Sequence, residues 1–281
     1  MKSLVAPPLC CIWMTSRKRW VVHRLKNVTF VGVFLSRIYL FKLGRRLLNG
    51  IARWVGRRHI VVSVRDLDLS FVAGLGQSEW RARTLATKEP ETLDFIDAMS
   101  ENSVFWDIGS STGIYSIYAA RKRNCQVVTI EPNPSNGPII TENIRLNQLN
   151  HLITPLTVPL MDRPQIVGMR FVSDEIGSSQ HQVVATSDIR GVHALTLRSI
   201  ALSLDLLVNE CNLPAPSYVK LDIDGLEHLV LVGAQQALRS VVAVIVEKQT
   251  NVSDREKSSQ LLRDAGLKLI LEGKSNTVWK R

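Results

Sequence analysis

Val104-Phe105-Trp106-Asp107-Ile108-Gly109-Ser110-Ser111-Thr112-Gly113 carries a mostly apolar run into a turn framed by two glycines, and a helical pattern begins at Ile114. A strand that turns directly into a helix is the opening unit of an α/β sheet. Gly109 and Gly113 permit the tight turn and a close backbone approach, and the free amides at the helix start face whatever binds there. The loop lacks the G-x-G-x-x-G spacing that seats a pyrophosphate, and the strand ends in a carboxylate that would repel one. Asp107, Gly109, Ser110, Ser111 and Gly113 are therefore candidate cofactor-binding residues for a small molecule bearing an ammonium or hydroxyl groups.

Two further segments narrow the choice. A second strand, Gln126 to Ile130, ends in Glu131, where a carboxylate can accept from both hydroxyls of a ribose. Asn133 joins it as a candidate cofactor contact, although Asn133-Pro134 also reads as a helix cap followed by a first-turn proline. The third segment is Tyr218-Val219-Lys220-Leu221-Asp222-Ile223-Asp224-Gly225-Leu226-Glu227. Alternation puts Tyr218, Lys220 and Asp222 on one face of a central strand, so a buried Lys220 requires a carboxylate or cofactor partner. Asp222, Asp224 and Glu227 then ring the carboxyl end of that strand, where open α/β sheets bind ligands.

These segments, with Asn143-Ile144-Arg145-Leu146-Asn147 and Val244-Ile245-Val246-Glu247, resemble the FkbM family of S-adenosylmethionine-dependent methyltransferases. The resemblance spans about Ile60 to Trp279, and Lys220 to Glu227 is its most distinctive part. It implies a class I methyltransferase fold, Rossmann-like, with a doubly wound seven-stranded sheet whose last strand is antiparallel. It also implies S-adenosyl-L-methionine as cofactor and O-methylation of a hydroxyl on a sugar, glycan or secondary metabolite. By position Asp107, Gly109 and Gly113 match the cofactor loop, Glu131 the ribose acid, and Asp222 the residue near the transferred methyl. Asp224 departs from the glutamate usual there, which puts a direct contact by it in doubt.

Methyl transfer from a sulfonium needs alignment of the acceptor and removal of its proton. Asp222 is the candidate catalytic residue for that task, assisted by Glu227, although an ordinary aspartate is a weak base for an alcohol. Asp222 and Asp224 supply no third metal ligand, so no metal is assigned. Asp222-Ile223-Asp224-Gly225 lacks the Pro-Pro-aromatic loop expected of enzymes acting on base nitrogens, so nucleic acid is not expected as a partner. Two rivals remain: a membrane-associated adaptor that keeps the fold without catalysis, and a nicotinamide oxidoreductase.

The charge is distributed unevenly. The chain of 281 residues has a formal net charge of +10, yet residues 1–65 hold fourteen Lys or Arg and no acid, which leaves the rest mildly acidic. Basicity thus belongs to an N-terminal segment, 1–58, and the methyltransferase-like domain is 59–281. Trp20 to Trp54 carries apolar residues at roughly helical spacing among arginines, which predicts one or two basic amphipathic helices. They read either as docking elements for an anionic membrane through residues 17–58 or as a helical cap with a solvated face. Pro7 and Pro8 interrupt the apolar start and no A-x-A site follows, so no signal peptide is expected. Cysteines 10, 11, 125 and 211 form no C-x-x-C pair, which suits a reducing cytoplasm.

Between the motifs, the patterns predict a hairpin from Ile60–Val64 and Leu67–Val72, and a helix from Thr92 to Met99. They predict an inserted antiparallel pair at Ile166–Val172 and Gln182–Thr186. Helices are expected at Leu197–Asn209, Leu226–Leu238 and Asp254–Ala265, with two closing strands.

Overall fold

The computed structural model describes residues 41–46, 58–170, 177, 182–184 and 196–281. The chain divides into two compact units, Met1–Val55 and Gly56–Arg281. In the first, residues 41–46 are helical, with Phe41 and Leu43 exposed. The rest of the expected basic helices lies outside the described residues. No helix among the described residues is long and apolar enough to cross a membrane.

The second unit begins with a hairpin, β1 (His59–Val64) and β2 (Leu67–Val72), closed by Arg65 at φ +54°. Helices α1 (Ser78–Thr84) and α2 (Pro90–Asp97) follow, and then β3 (Val104–Ile108), α3 (Ile114–Arg123), β4 (Gln126–Ile130), α4 (Gly137–Leu146) and β5 (Ile153–Leu156). An inserted sheet of β6 (Gln165–Arg170), β7 (Gln182–Val184) and β8 (Thr196–Ala201) comes next, in the order β7-β6-β8. The chain closes with α5 (Leu204–Asn209), β9 (Tyr218–Leu221), α6 (Glu227–Val232), β10 (Ala243–Glu247), α7 (Val252–Asp264), β11 (Lys268–Glu272) and β12 (Asn276–Lys280).

Seven strands form the main sheet in the order β11-β12-β10-β9-β3-β4-β5. From β10 to β5 all neighbours are parallel, and β12 runs antiparallel to both β10 and β11. This is the class I methyltransferase arrangement expected from the sequence. The chain moves outward from β3 to β5 and then returns to β9 on the other side of β3. The β3/β9 boundary is therefore the switch point, where a crevice opens beyond the carboxyl ends of the strands. Apolar layers cover both faces: Phe105, Tyr118 and Ile245 pack on one side, Trp106, Ile108, Val244 and Trp279 on the other.

The hairpin is held to this body by polar contacts that continue its pairing. Asn143 on α4 accepts from the Val72 amide at 2.8 Å, and Asn147 both accepts from Ser70 N (3.0 Å) and donates to Ser70 O (2.7 Å). Two amide side chains four residues apart share a helix face, so they can meet one strand. Asn143 also donates to the Thr112 carbonyl at 2.8 Å and so ties the hairpin to the glycine loop.

Three expectations change. Thr196–Ala201, read as the start of a helix, is a strand registered on β6 from Thr196↔Arg170 to Ala201↔Gln165. Helix begins only after Ser203, whose hydroxyl accepts from Leu206 N at 3.3 Å, as an N-cap does. The helix expected over Leu226–Leu238 stops at Val232 and is capped by Gly233, where a side chain would meet the Met161 carbonyl at 2.3 Å. The inserted pair is a three-stranded sheet, and α1 stands where the sequence pattern assigned nothing.

Trp106 is completely buried, and its indole N–H donates to Pro214 O at 2.9 Å. Trp106→Ala should cost about 3–5 kcal/mol of unfolding free energy, measured by denaturant titration of the full chain.

Candidate active site

Gly109 sits where β3 and β9 come closest. Its φ is +81°, and a Cβ placed on it would lie 1.7 Å from the Asp222 carbonyl oxygen, an impossible contact. Only glycine lets the loop after β3 lie this close to the end of its parallel neighbour β9. The Gly109 and Ser110 amides both donate to Ile130 O, at 2.9 and 3.0 Å, which locks the loop against β4. Gly113, at φ +74°, starts α3.

Glu131 faces this loop. Its Oε2 accepts from Ser111 N at 2.8 Å and its Oε1 from Asn133 N at 2.9 Å, while only 5% of its surface is exposed. Burial raises its pKa to about 7, against the opposing pull of the two amides. Each carboxylate oxygen keeps an acceptor site after these bonds.

Beneath the loop, β3 and β9 place Asp107 beside Lys220 in register. Lys220 is almost wholly buried; its Nζ donates to Asp222 Oδ2 at 2.7 Å, stands 4.0 Å from Asp107 Oδ1 and lies 5.4 Å from the centre of the Tyr115 ring. The carboxylate partner demanded by the strand pattern is present. Asp107 also accepts from Ser116 Oγ at 2.6 Å. Burial raises the Asp107 pKa, with Lys220 and Ser116 opposing it.

Asp222 and Glu247 end adjacent strands, one step beyond the Leu221↔Val246 pair. Burial and then the Asp222 charge and hydrogen bond push the Glu247 pKa up to about 9. For Asp222 burial acts upward, but Lys220, a hydrogen bond to Glu247 and the Lys220 hydrogen bond outweigh it and hold the carboxyl below its ordinary range. The two carboxyls thus share a proton that resides on Glu247.

A cleft enclosing roughly 850 Å³, counting its solvent-open part, joins these features. Gly109, Ser111, Glu131, Asp222, Asp224 and Glu247 line it, with Arg81 and Lys88 on the wall contributed by α1 and the loop after it.

The structure separates the nine residues predicted from sequence. Gly109, Ser111, Glu131 and Asp222 line the cleft. Ser110, Gly113 and Asn133 shape the loops behind it, Asn133 by donating its amide to Glu131. Asp107 is fully buried, outside the cleft lining, and meets Lys220 and Ser116. Glu227, expected to assist a base, is likewise not among the lining residues. It is fully buried, and its Oε1 accepts from Ile223 N at 3.1 Å and Gly225 N at 3.2 Å, so it holds the β9 loop. That loop needs holding, since Asp224 is at φ +58° and Gly225 at +111°.

Sequence reasoning overlooked Glu247, Lys88 and Arg81. Glu247 was visible as the acid closing the strand beside β9. Arg81 and Lys88 carried no motif. Among the described residues no group of three or more His, Cys, Asp or Glu is placed to hold a metal ion.

Sheet order, switch-point cleft and the acids at its strand ends define a methyltransferase of the class I, Rossmann-like type. Residues 107–269 match the methyltransferase FkbM domain, and the chain belongs to that family. Among characterised proteins it is similar to the hexuronic acid methyltransferase AglP of Haloferax volcanii, with 29% identity over 226 residues, covering 79% of this chain and 88% of that one. Among solved structures it is similar to a precorrin-6y C5,15-methyltransferase from Geobacter metallireducens, with TM-score 0.42, 15% identity and coverage of 69% and 87% of the two chains. Another is M. capricolum TrmK in complex with S-adenosyl-homocysteine, with TM-score 0.39, 13% identity and coverage of 67% and 66%.

Gly109→Ala should force the loop after β3 away from the end of β9. We expect loss of S-adenosylhomocysteine binding by calorimetry and destabilisation above about 3 kcal/mol in denaturant unfolding, since backbone must move as well as side chains.

Proposed function

We propose that this protein transfers the methyl group of S-adenosylmethionine to an oxygen of a sugar or glycan acceptor. The observation that carries the reading is one cleft lined by Gly109, Ser111 and Glu131 together with the Asp222–Glu247 pair. The name of the Haloferax relative supports a sugar acceptor, and a hexuronic acid within that class.

The loop after β3 and Glu131 fit the cofactor. Glu131 has an acceptor site left on each oxygen for a ribose hydroxyl, Gly109 offers bare backbone, and the buried hydroxyls of Ser111 and Thr112 lack partners among the described residues. When bound, the sulfonium supplies an activated methyl for in-line displacement. Asp222 and Glu247 suit a neighbouring positive charge and an incoming hydroxyl.

Asp222, held ionised by Lys220, accepts the acceptor hydroxyl and aims its oxygen. It is too weak a base to keep the proton. Glu247, with its pKa near 9, is the stronger base, and the proton passes to it once its own is lost. This reassigns the assisting role expected of Glu227. Residues 1–58 remain proposed as an appendage to the 59–281 domain, and the basic stretch 17–58 as its contact with an anionic membrane surface.

Cofactor binding supplies the first test. Calorimetry should show S-adenosylhomocysteine binding that Glu131→Ala weakens by about 1–3 kcal/mol, the value of charged hydrogen bonds. Because the ionised carboxylate is the binding form and its pKa is about 7, wild-type affinity should climb between pH 6 and 8 and level off above. Glu131→Gln should bind more weakly with no such rise. Absence of heat with the wild type would remove the cofactor reading.

Turnover supplies the second. Glu247 works as a base only after losing its proton, so kcat should rise with pH toward about 9. Glu247→Gln should lower kcat by roughly 10²–10⁴-fold and abolish the rise while cofactor affinity stays. A Glu247→Gln enzyme that retains the wild-type pH profile would return the role to Asp222 alone.

A further inference from the structure

Arg81 has no place in the machinery described so far. It sits on α1, is 92% buried by its 8% exposure, and lines the cleft. Its Nε donates to Gly177 O at 2.6 Å, and Gly177 N in turn donates to Asn136 Oδ1 at 2.8 Å. A Cβ on Gly177 would lie 3.0 Å from Ser78 N, so glycine allows this carbonyl to approach α1 closely. Arg81 is thus fixed by a short, two-step chain of hydrogen bonds that reaches the start of α4.

What the guanidinium lacks is an anion. Among the described residues lining the cleft, Lys88 pairs with Glu89 at 2.8 Å, Asp222 with Lys220, and Glu131 with two backbone amides. No carboxylate among the described residues stands within ion-pair distance of Arg81, although Glu131 feels its charge. A guanidinium is a permanent cation with five N–H donors in a planar fork, and removing it from water without a counter-charge is expensive. One of the five is satisfied by Gly177. The others suit the planar, two-pronged geometry of a carboxylate.

We propose that Arg81 is the carboxylate anchor of the cleft, receiving a carboxylate from a bound substrate. This rests on the methyl-transfer reading above and deepens it. Two substrates of that reaction carry the chemistry: the amino-acid end of the cofactor, and the acid group of a hexuronic-type acceptor. Lys88, already engaged by Glu89, contributes field to the same wall but no free partner.

Titration calorimetry on the full chain distinguishes the two sources. The probes are S-adenosylhomocysteine, 5′-methylthioadenosine, which lacks the amino-acid end, and glucuronate or glucose added to protein already saturated with S-adenosylhomocysteine. If the cofactor supplies the carboxylate, Arg81→Gln weakens S-adenosylhomocysteine about 10- to 100-fold and leaves 5′-methylthioadenosine unchanged, which also shows that the cleft is intact. If the acceptor supplies it, S-adenosylhomocysteine affinity stays, wild type binds glucuronate but not glucose, and Arg81→Gln loses the glucuronate. Arg81→Lys, which keeps the charge without the fork, should fall between the two and carries the test if Arg81→Gln fails to fold. Unchanged S-adenosylhomocysteine affinity in the variant, with glucuronate bound equally by both proteins or by neither, overturns the anchor while leaving the methyltransferase reading in place. A wild type that binds no S-adenosylhomocysteine takes both down.

Discussion

An ammonium buried between two strands is the constraint around which this site is arranged. Lys220 reaches Asp222 at 2.7 Å and stands 4.0 Å from Asp107 with 2% of its surface exposed. Burying a lone charge there would be prohibitive, and so would burying Asp107 ionised near a second carboxylate without a cation between them. Together they compensate, and the outcome is asymmetric. Asp222, in direct contact, is held ionised, whereas the burial of Asp107 outweighs the more distant Lys220 and raises its pKa. Because Asp222 keeps its charge, its neighbour Glu247 cannot readily do the same, and the proton is driven onto Glu247. One lysine thereby orders the protonation of three acids.

The backbone is constrained just as tightly where the loop after β3 meets the end of β9. Gly109 allows β3 to approach the Asp222 carbonyl, which sets the loop carrying Ser111 against the acids of β9. On the other side Asn143 bridges β2 and Thr112, so the hairpin braces the loop from behind. Glu227 does the corresponding work for the β9 loop by occupying its amides. Polar residues of these motifs thus divide into those that face the cleft and those that hold the facing residues in place.

That division was the part least legible in the sequence. Strand–helix alternation from Val104 to Val246 revealed the sheet because its period is dictated by burial, and buried Lys220 could be inferred to have an acid partner because its cost leaves no alternative. Facing is another matter. Asp107 and Asp222 both end strands next to glycine-bearing loops, and only the relative height of β3 and β9 puts one under the floor and the other in the wall. Glu227 looked like a site acid because it is an acid close to the site; its hydrogen bonds to Ile223 and Gly225 depend on a loop whose left-handed Asp224 no pattern announces. The misread at Thr196–Ala201 has the same origin, since its apolar spacing fits either period and the choice is made by β6, some thirty residues earlier. Arg81 was out of reach for a simpler reason: its significance is the lack of an ion-paired acid among the described residues, which is a property of space and not of sequence.

The electrostatic character of the cleft follows from these placements. Its acids look excessive for a site that must also admit a sugar, but three of the four, Asp222, Glu247 and Glu131, do not act as full unpaired charges. Asp222 is balanced by Lys220, and Glu247 holds a proton near neutral pH. Glu131 titrates close to pH 7 because burial opposes its amides. A site of this kind carries little net field while empty and gains negative charge as a cation draws its carboxyls into their ionised forms, because each pKa displaced by burial is also displaced back by a neighbouring positive charge. Desolvation therefore does more than weaken these acids. It makes their charge conditional on what is bound, and a sulfonium is the kind of ligand that would supply the condition.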